Sequence, residues 1–140
     1  MRATTISTLG LLLAVWIFGA DRKTNPPPPY DLTTEFKAFV TIVDVREVPK
    51  DELFDGIHFS VQSKNDTYDV YVAPTAFVKI FGVEFKKGDE IELTASKVRF
   101  RGEDFALARE IRLGHVTLEL RDDTGWPNWD WHKPTIPTGR

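Results

Sequence analysis

At 140 residues, with a formal net charge of −3 and no cysteine, the chain has room for one domain. Disulfides, thiolate metal sites, a cysteine nucleophile, c-type haem attachment and a lipidated lipoprotein cysteine are all excluded. Hydrophobic residues at 41% and charged residues at 28% suffice for a folded core, and the acidic balance is not that of a nucleic-acid binder.

Arg2 precedes an uncharged stretch ending in the apolar run 9–18, then Gly19 and Ala20, the layout of a signal peptide. Ala20 suits a cleavage site, whereas Phe18 is bulky two positions earlier. Left uncleaved, residues 3–20 approach the roughly 20 apolar residues that cross a bilayer. Residues 1–20 are thus expected to be a signal peptide or an N-terminal membrane anchor helix. The rest of the chain is expected outside the cytoplasm, periplasmic or secreted, with the membrane touched only through this segment if it is uncleaved. Arg2 on one side and Arg22 and Lys23 on the other leave the orientation open. Four consecutive prolines, 26–29, lack amide donors and fix φ, so residues 21–34 are read as a stiff proline-rich linker.

Residues 35–48 are β-branched and aromatic. Phe36, Ala38, Val40 and Ile42 share one parity before Val43 and Val45 continue on the other, which predicts a long strand with a bulge, curved enough to serve two sheets. A polar loop follows over 49–56. Ile57, Phe59 and Val61, then Tyr68, Val70 and Val72, alternate with their neighbours about Lys64-Asn65-Asp66, which reads as a hairpin. Pro74, then Phe77, Ile80 and Phe81 at helical spacing, then Gly82, predict one short helix. After the Lys87-Gly88-Asp89 turn, Ile91 and Leu93 give way to Val98 and Phe100 on the other parity, which implies a second bulge. Beyond the turn Arg101-Gly102-Glu103, residues Phe105, Leu107, Ile111 and Leu113 form one face of a strand. Val116, Leu118 and Leu120 form a last one after Gly114.

The expected fold is all-β: a five-stranded OB-fold-like barrel with a short helix between strands 3 and 4 and an extra C-terminal strand. It should occupy residues 35–122, followed by a Trp/Pro-rich tail over 123–140. An SH3-like barrel is the competitor, and it has no need of the helix.

Ala73-Pro74, Phe77, Gly82, Phe85, Gly88-Asp89, Ser96-Lys97-Val98, Gly102, Ala106, Ala108-Arg109-Glu110, Leu118, Leu120-Arg121-Asp122, Gly125 and Pro127 together resemble the exported bacterial OB-type domain of the magnetosome MamS/MamX family. The resemblance covers about residues 35–129 and concerns turn glycines and core positions. It implies the fold and an exported setting. MamX-type chains carry haem-binding cysteine motifs, and a chain without cysteine inherits no such haem.

Arg109 falls among apolar neighbours, where a guanidinium needs a carboxylate. It is either an anion clamp, an internal partner of Glu110, Asp104 or another acid, or a residue turned outward by a bulge. His58 and Tyr71, with Tyr68 nearby, lie on strands 2 and 3, where OB barrels bind oligonucleotides or sugars. Tyrosine there is also ordinary β propensity. Lys97, Arg99 and Arg101 make a basic row, either a groove for an anionic polymer or a solvated face beside Glu103 and Asp104. Trp126, Trp129 and Trp131 either close the barrel or present a docking or carbohydrate-stacking surface. Asp122, Asp123, Asp130, His115 and His132 have no metal-site spacing, and no catalytic motif or cofactor fingerprint is present. The expected role is non-enzymatic binding of a protein or envelope component. Nucleic acid or another anionic polymer, and carbohydrate of the cell wall, are the alternatives.

Overall fold

The computed structural model describes residues 29–130. The expectations for residues 1–28, and for Trp131 and His132 in the tail, lie outside them. After a 3-10 turn at Leu32–Thr34, six strands and one short α-helix follow in order: β1 (Glu35–Val48), β2 (Gly56–Ser63), β3 (Asp66–Ala73), α1 (Thr75–Ile80), β4 (Glu90–Phe100), β5 (Glu103–Leu113) and β6 (Val116–Glu119). The strands hydrogen-bond in the order β3-β2-β1-β4-β5-β6, and a parallel pairing of β3 with β5, Val70 to Ala106 and Tyr71 to Leu107, closes the first five into a barrel. This is the expected OB topology with β6 appended to β5.

β1 makes the closure possible. Its first half pairs with β4 and its second half with β2. Val43 is the extra residue at the crossover, since Ile42 faces Val61 and Asp44 already faces Ser60. Phe36, Ala38, Val40, Ile42 and Val45 therefore all reach one core despite the change of parity. Phe59, Val61, Val70, Val72, Leu93 and Ile111 meet them there, fully buried. α1 starts directly after Pro74, whose fixed φ suits a helix entry, and lays Phe77, Val78 and Phe81 against that core before Gly82 ends it at φ 67°.

The second bulge lies elsewhere than expected. β4 runs against β1 without a shift, from Ser96 opposite Glu35 to Glu90 opposite Thr41. In the β4–β5 pairing Thr94 faces Glu110 while Ala95 faces Ala108, so the additional residue is Arg109, on β5. Ala106 and Ala108 before it, and Ile111 after it, all belong to the core, whereas Leu107 and Phe105 stand on the outer face. The expected single face Phe105, Leu107, Ile111, Leu113 is thus split between the two sides. Val98 likewise is no inner residue displaced by a bulge. With Tyr71 and Leu107 it forms a second apolar cluster on the outside of the barrel.

Candidate functional site

What covers the outer cluster defines the site. Three segments converge on it: the β1–β2 loop through Phe54, the N-terminal segment through Tyr30, and the C-terminal segment through Trp129. Phe54 sits at φ 56°, the left-handed region that a bulky side chain rarely occupies. Its ring packs 5.2 Å from Tyr71, 5.3 Å from Phe100 and 5.3 Å from Phe105, centroid to centroid. The loop is tied down from below: His58 Nε2 donates to the Phe54 carbonyl at 2.7 Å, and the Tyr71 hydroxyl donates to the Asp55 carbonyl at 3.0 Å. His58 and Tyr71 do share the outward face, directly opposite one another. The face is not open, however: they are only 3% and 6% exposed. Burial raises the Tyr71 phenol above its ordinary value. The other His58 nitrogen, Nδ1, lies 3.4 Å from Asp69, which also pairs with Arg46. Burial pushes the Asp69 carboxyl up, but His58 and Arg46 outweigh it and hold the group below its ordinary value.

Arg109, set apart by the bulge, makes a two-pronged contact with Glu35: Nε to one oxygen at 2.8 Å and Nη2 to the other at 3.1 Å. Tyr30 donates its hydroxyl to the same carboxylate at 2.6 Å. The partner is thus an acid from the start of β1, rather than Glu110 or Asp104. The pairing with Arg109 holds Glu35 below the ordinary carboxylate value. Tyr30, its phenol raised by burial first and by Glu35 second, is fixed by this triad over the face. The N-terminal segment is also pinned to β4. The Asp31 amide donates to Ser96 Oγ at 3.2 Å and the Thr34 hydroxyl to the Lys97 carbonyl at 2.7 Å.

Under this cap lies Arg121, just past β6 and 8% exposed. Its guanidinium is flanked by the rings of Trp129 at 5.1 Å and Tyr30 at 5.6 Å. Nη1 donates to the Gly125 carbonyl at 3.0 Å, while the buried Nε has no hydrogen-bond partner. Among the described residues no carboxylate pairs with it, and burial pushes its pKa down. Arg121 lines a cavity of about 610 Å³ whose walls include Tyr30, Phe54, Tyr71 and Trp126. Gly125 belongs to that lining too, at φ 92°. A Cβ there would fall 2.7 Å from the Tyr30 ring, so only glycine lets the two segments meet.

The other residues singled out from the sequence are dispersed. Arg99 is engaged by Asp104 at 2.8 Å and the Gly102 carbonyl at 3.0 Å. Lys97 lies over Phe36 and Arg101 over Phe100. With Arg109 held by Glu35, the structure does not gather these cations into one groove. Trp129 packs against Phe77 at 5.5 Å and Tyr71 at 6.3 Å, so it belongs to the cap. Trp126 is half-buried and donates its indole N–H to the Asp130 carbonyl at 3.0 Å. Tyr68 turns inward, edge-on to Phe36. No group of three His, Asp or Glu side chains is placed to hold a metal among the described residues. Three residues of the site are not singled out by the sequence: Tyr30 falls within the linker range, Phe54 within the loop 49–56, and Arg121 only among the positions that carry the family resemblance. The adjacent pair Leu53-Phe54 inside an otherwise mostly charged loop is the available signal for Phe54.

The MamS/MamX magnetosome protein family model matches residues 39–118, from the middle of β1 to β6. That span is more than half of the chain. It stops short of both Tyr30 and Arg121. No curated protein matches the chain closely enough to count as a relative.

Proposed function

The chain belongs to the MamS/MamX magnetosome protein family, and we propose that it is a non-catalytic binding module, held outside the cytoplasm, for a protein or envelope component. The contact surface is the capped outer face of β2 and β3. One observation carries this reading: a cavity of about 610 Å³ lies on the face where OB barrels take ligands, with aromatic walls drawn from four separate parts of the chain. The non-catalytic character is supported by what the polar groups of the face do. His58 and Tyr71 hold the β1–β2 loop, and Arg109 and Tyr30 hold Glu35. The export reading is supported by Arg2 and the apolar run after it.

The test is a nuclear magnetic resonance titration of the isotope-labelled full-length chain. Detergent-extracted envelope proteins, peptidoglycan fragments and single-stranded DNA are added in turn. Envelope material is expected to move the signals of Phe54, Tyr71 and Trp126, with little response to salt. Absence of shifts there, or steeply salt-dependent shifts at Lys97 and Arg99 with DNA, overturns the reading.

A further inference from the structure

Arginine presents two forks: the end-on pair of Nη atoms, and the side-on pair Nε and Nη2. Arg109 shows the second one filled, since those two atoms grip the two oxygens of Glu35 at 2.8 and 3.1 Å. Arg121 has its Nη1 committed to the Gly125 carbonyl, and its side-on fork meets no acceptor among the described residues. An arginine only 8% exposed is costly without a counter-charge, which makes it an unusual residue to leave in the wall of a cavity. Resting on the binding-module reading, we infer that Arg121 is the anchor for a single carboxylate carried on an apolar, ring-bearing body.

The choice of group follows from charge and geometry. Carboxylate and phosphate both match the fork. Asp55 and Asp130 also line the cavity, and the chain is acidic as a whole, so one guanidinium faces a negative surround that a doubly charged phosphate tolerates poorly. The body of the ligand follows from Tyr30, Phe54, Tyr71 and Trp126 in the lining, which favour an apolar ring. The same chemistry can come from a free organic acid or from the terminal carboxylate of a peptide with an apolar last residue.

The experiment follows the Arg121 Nε–H and Trp126 indole signals of the isotope-labelled full-length protein. The probes are N-acetyl-phenylalanine, a short peptide ending in free phenylalanine, the amide of each, and phenyl phosphate. At least one free acid is expected to move the Arg121 Nε–H signal downfield, with its amide weaker by at least about tenfold and phenyl phosphate no tighter. Which acid binds better separates the two sources. Arg121→Lys keeps a positive charge but lacks the fork, and should weaken the acid about tenfold while the Trp129–Tyr71 contact persists.

Equal binding of acid and amide, or of Arg121→Lys and the unaltered protein, overturns the inference. Movement of Trp126 without Arg121 also overturns it, yet leaves the binding-module reading standing. That reading fails separately if envelope material moves no signal at the face. If a variant ending at Asp130 shifts Arg121 Nε–H with no probe added, the acceptor belongs to this chain itself and the proposal is again overturned.

Discussion

Glu35 illustrates how one residue carries several demands. It stands at the first position of β1, accepts from both prongs of Arg109 and from Tyr30, and so links the N-terminal segment, β1 and the β5 bulge. Its folded-state pKa lies below the ordinary 4.5, so the stability it supplies is complete above that value and is lost as pH falls through the depressed one. Glu35→Gln should lower stability by about 1 kcal/mol at neutral pH, a modest figure because the pair is partly hydrated. Denaturation followed as a function of pH should show the two proteins converging below 4.5. Gly125 makes a steric demand instead. Gly125→Ala places a methyl 2.7 Å from the Tyr30 ring at a φ of 92°, and should cost about 1–3 kcal/mol. Gly114→Ala, at φ 60° with nothing within 4 Å of the new Cβ, should cost only the backbone part, about 1 kcal/mol. Urea melts of the two variants separate steric contact from conformation.

Among the elements, the strands and the helix were legible because their alternation and capping signals are local. β1, the β2–β3 hairpin and α1 all stand where Val43, Lys64-Asn65 and Pro74 with Gly82 place them. The β5 bulge was not legible, for a physical reason. A strand buried on both faces shows apolar residues on both parities, so Leu107 under the cap and Ile111 in the core read as one continuous row. The same ambiguity misplaced a bulge in β4, where Val98 is covered from outside. Deleting Arg109 offers a direct check. Removing the extra residue leaves Ala106, Ala108 and Ile111 in plain alternation, with Ala95 and Thr94 still opposite Ala108 and Glu110, so the core face is kept and the pair with Glu35 is lost. The deletion and Arg109→Ala should therefore both keep a cooperative melt and lose about 1–3 kcal/mol, whereas loss of the melt in the deletion alone would contradict a single extra residue at this position.

At the scale of the whole molecule, the protein is a small barrel with two apolar layers: a core inside, and a second cluster outside under a cap made from Tyr30, Phe54 and Trp129. The site was only partly visible in the sequence. The sequence places His58 and Tyr71 on the right face and offers Trp129 only as a tail ring that either closes the barrel or presents a surface, and their neighbours come from sequence positions as distant as Tyr30 and Gly125. Long-range convergence of that kind leaves no periodic trace. The cap makes the cavity, places Arg121 in its wall and distinguishes this surface from an open sheet. The most direct measurement is therefore a nuclear Overhauser spectrum of the full-length protein in solution. Cross-peaks from the Trp129 indole to the rings of Tyr71 and Phe77 are predicted from centroid separations of 6.3 and 5.5 Å. A Trp129 indole with solvent-like shifts and no such cross-peaks would contradict the capped face, and with it the site built beneath.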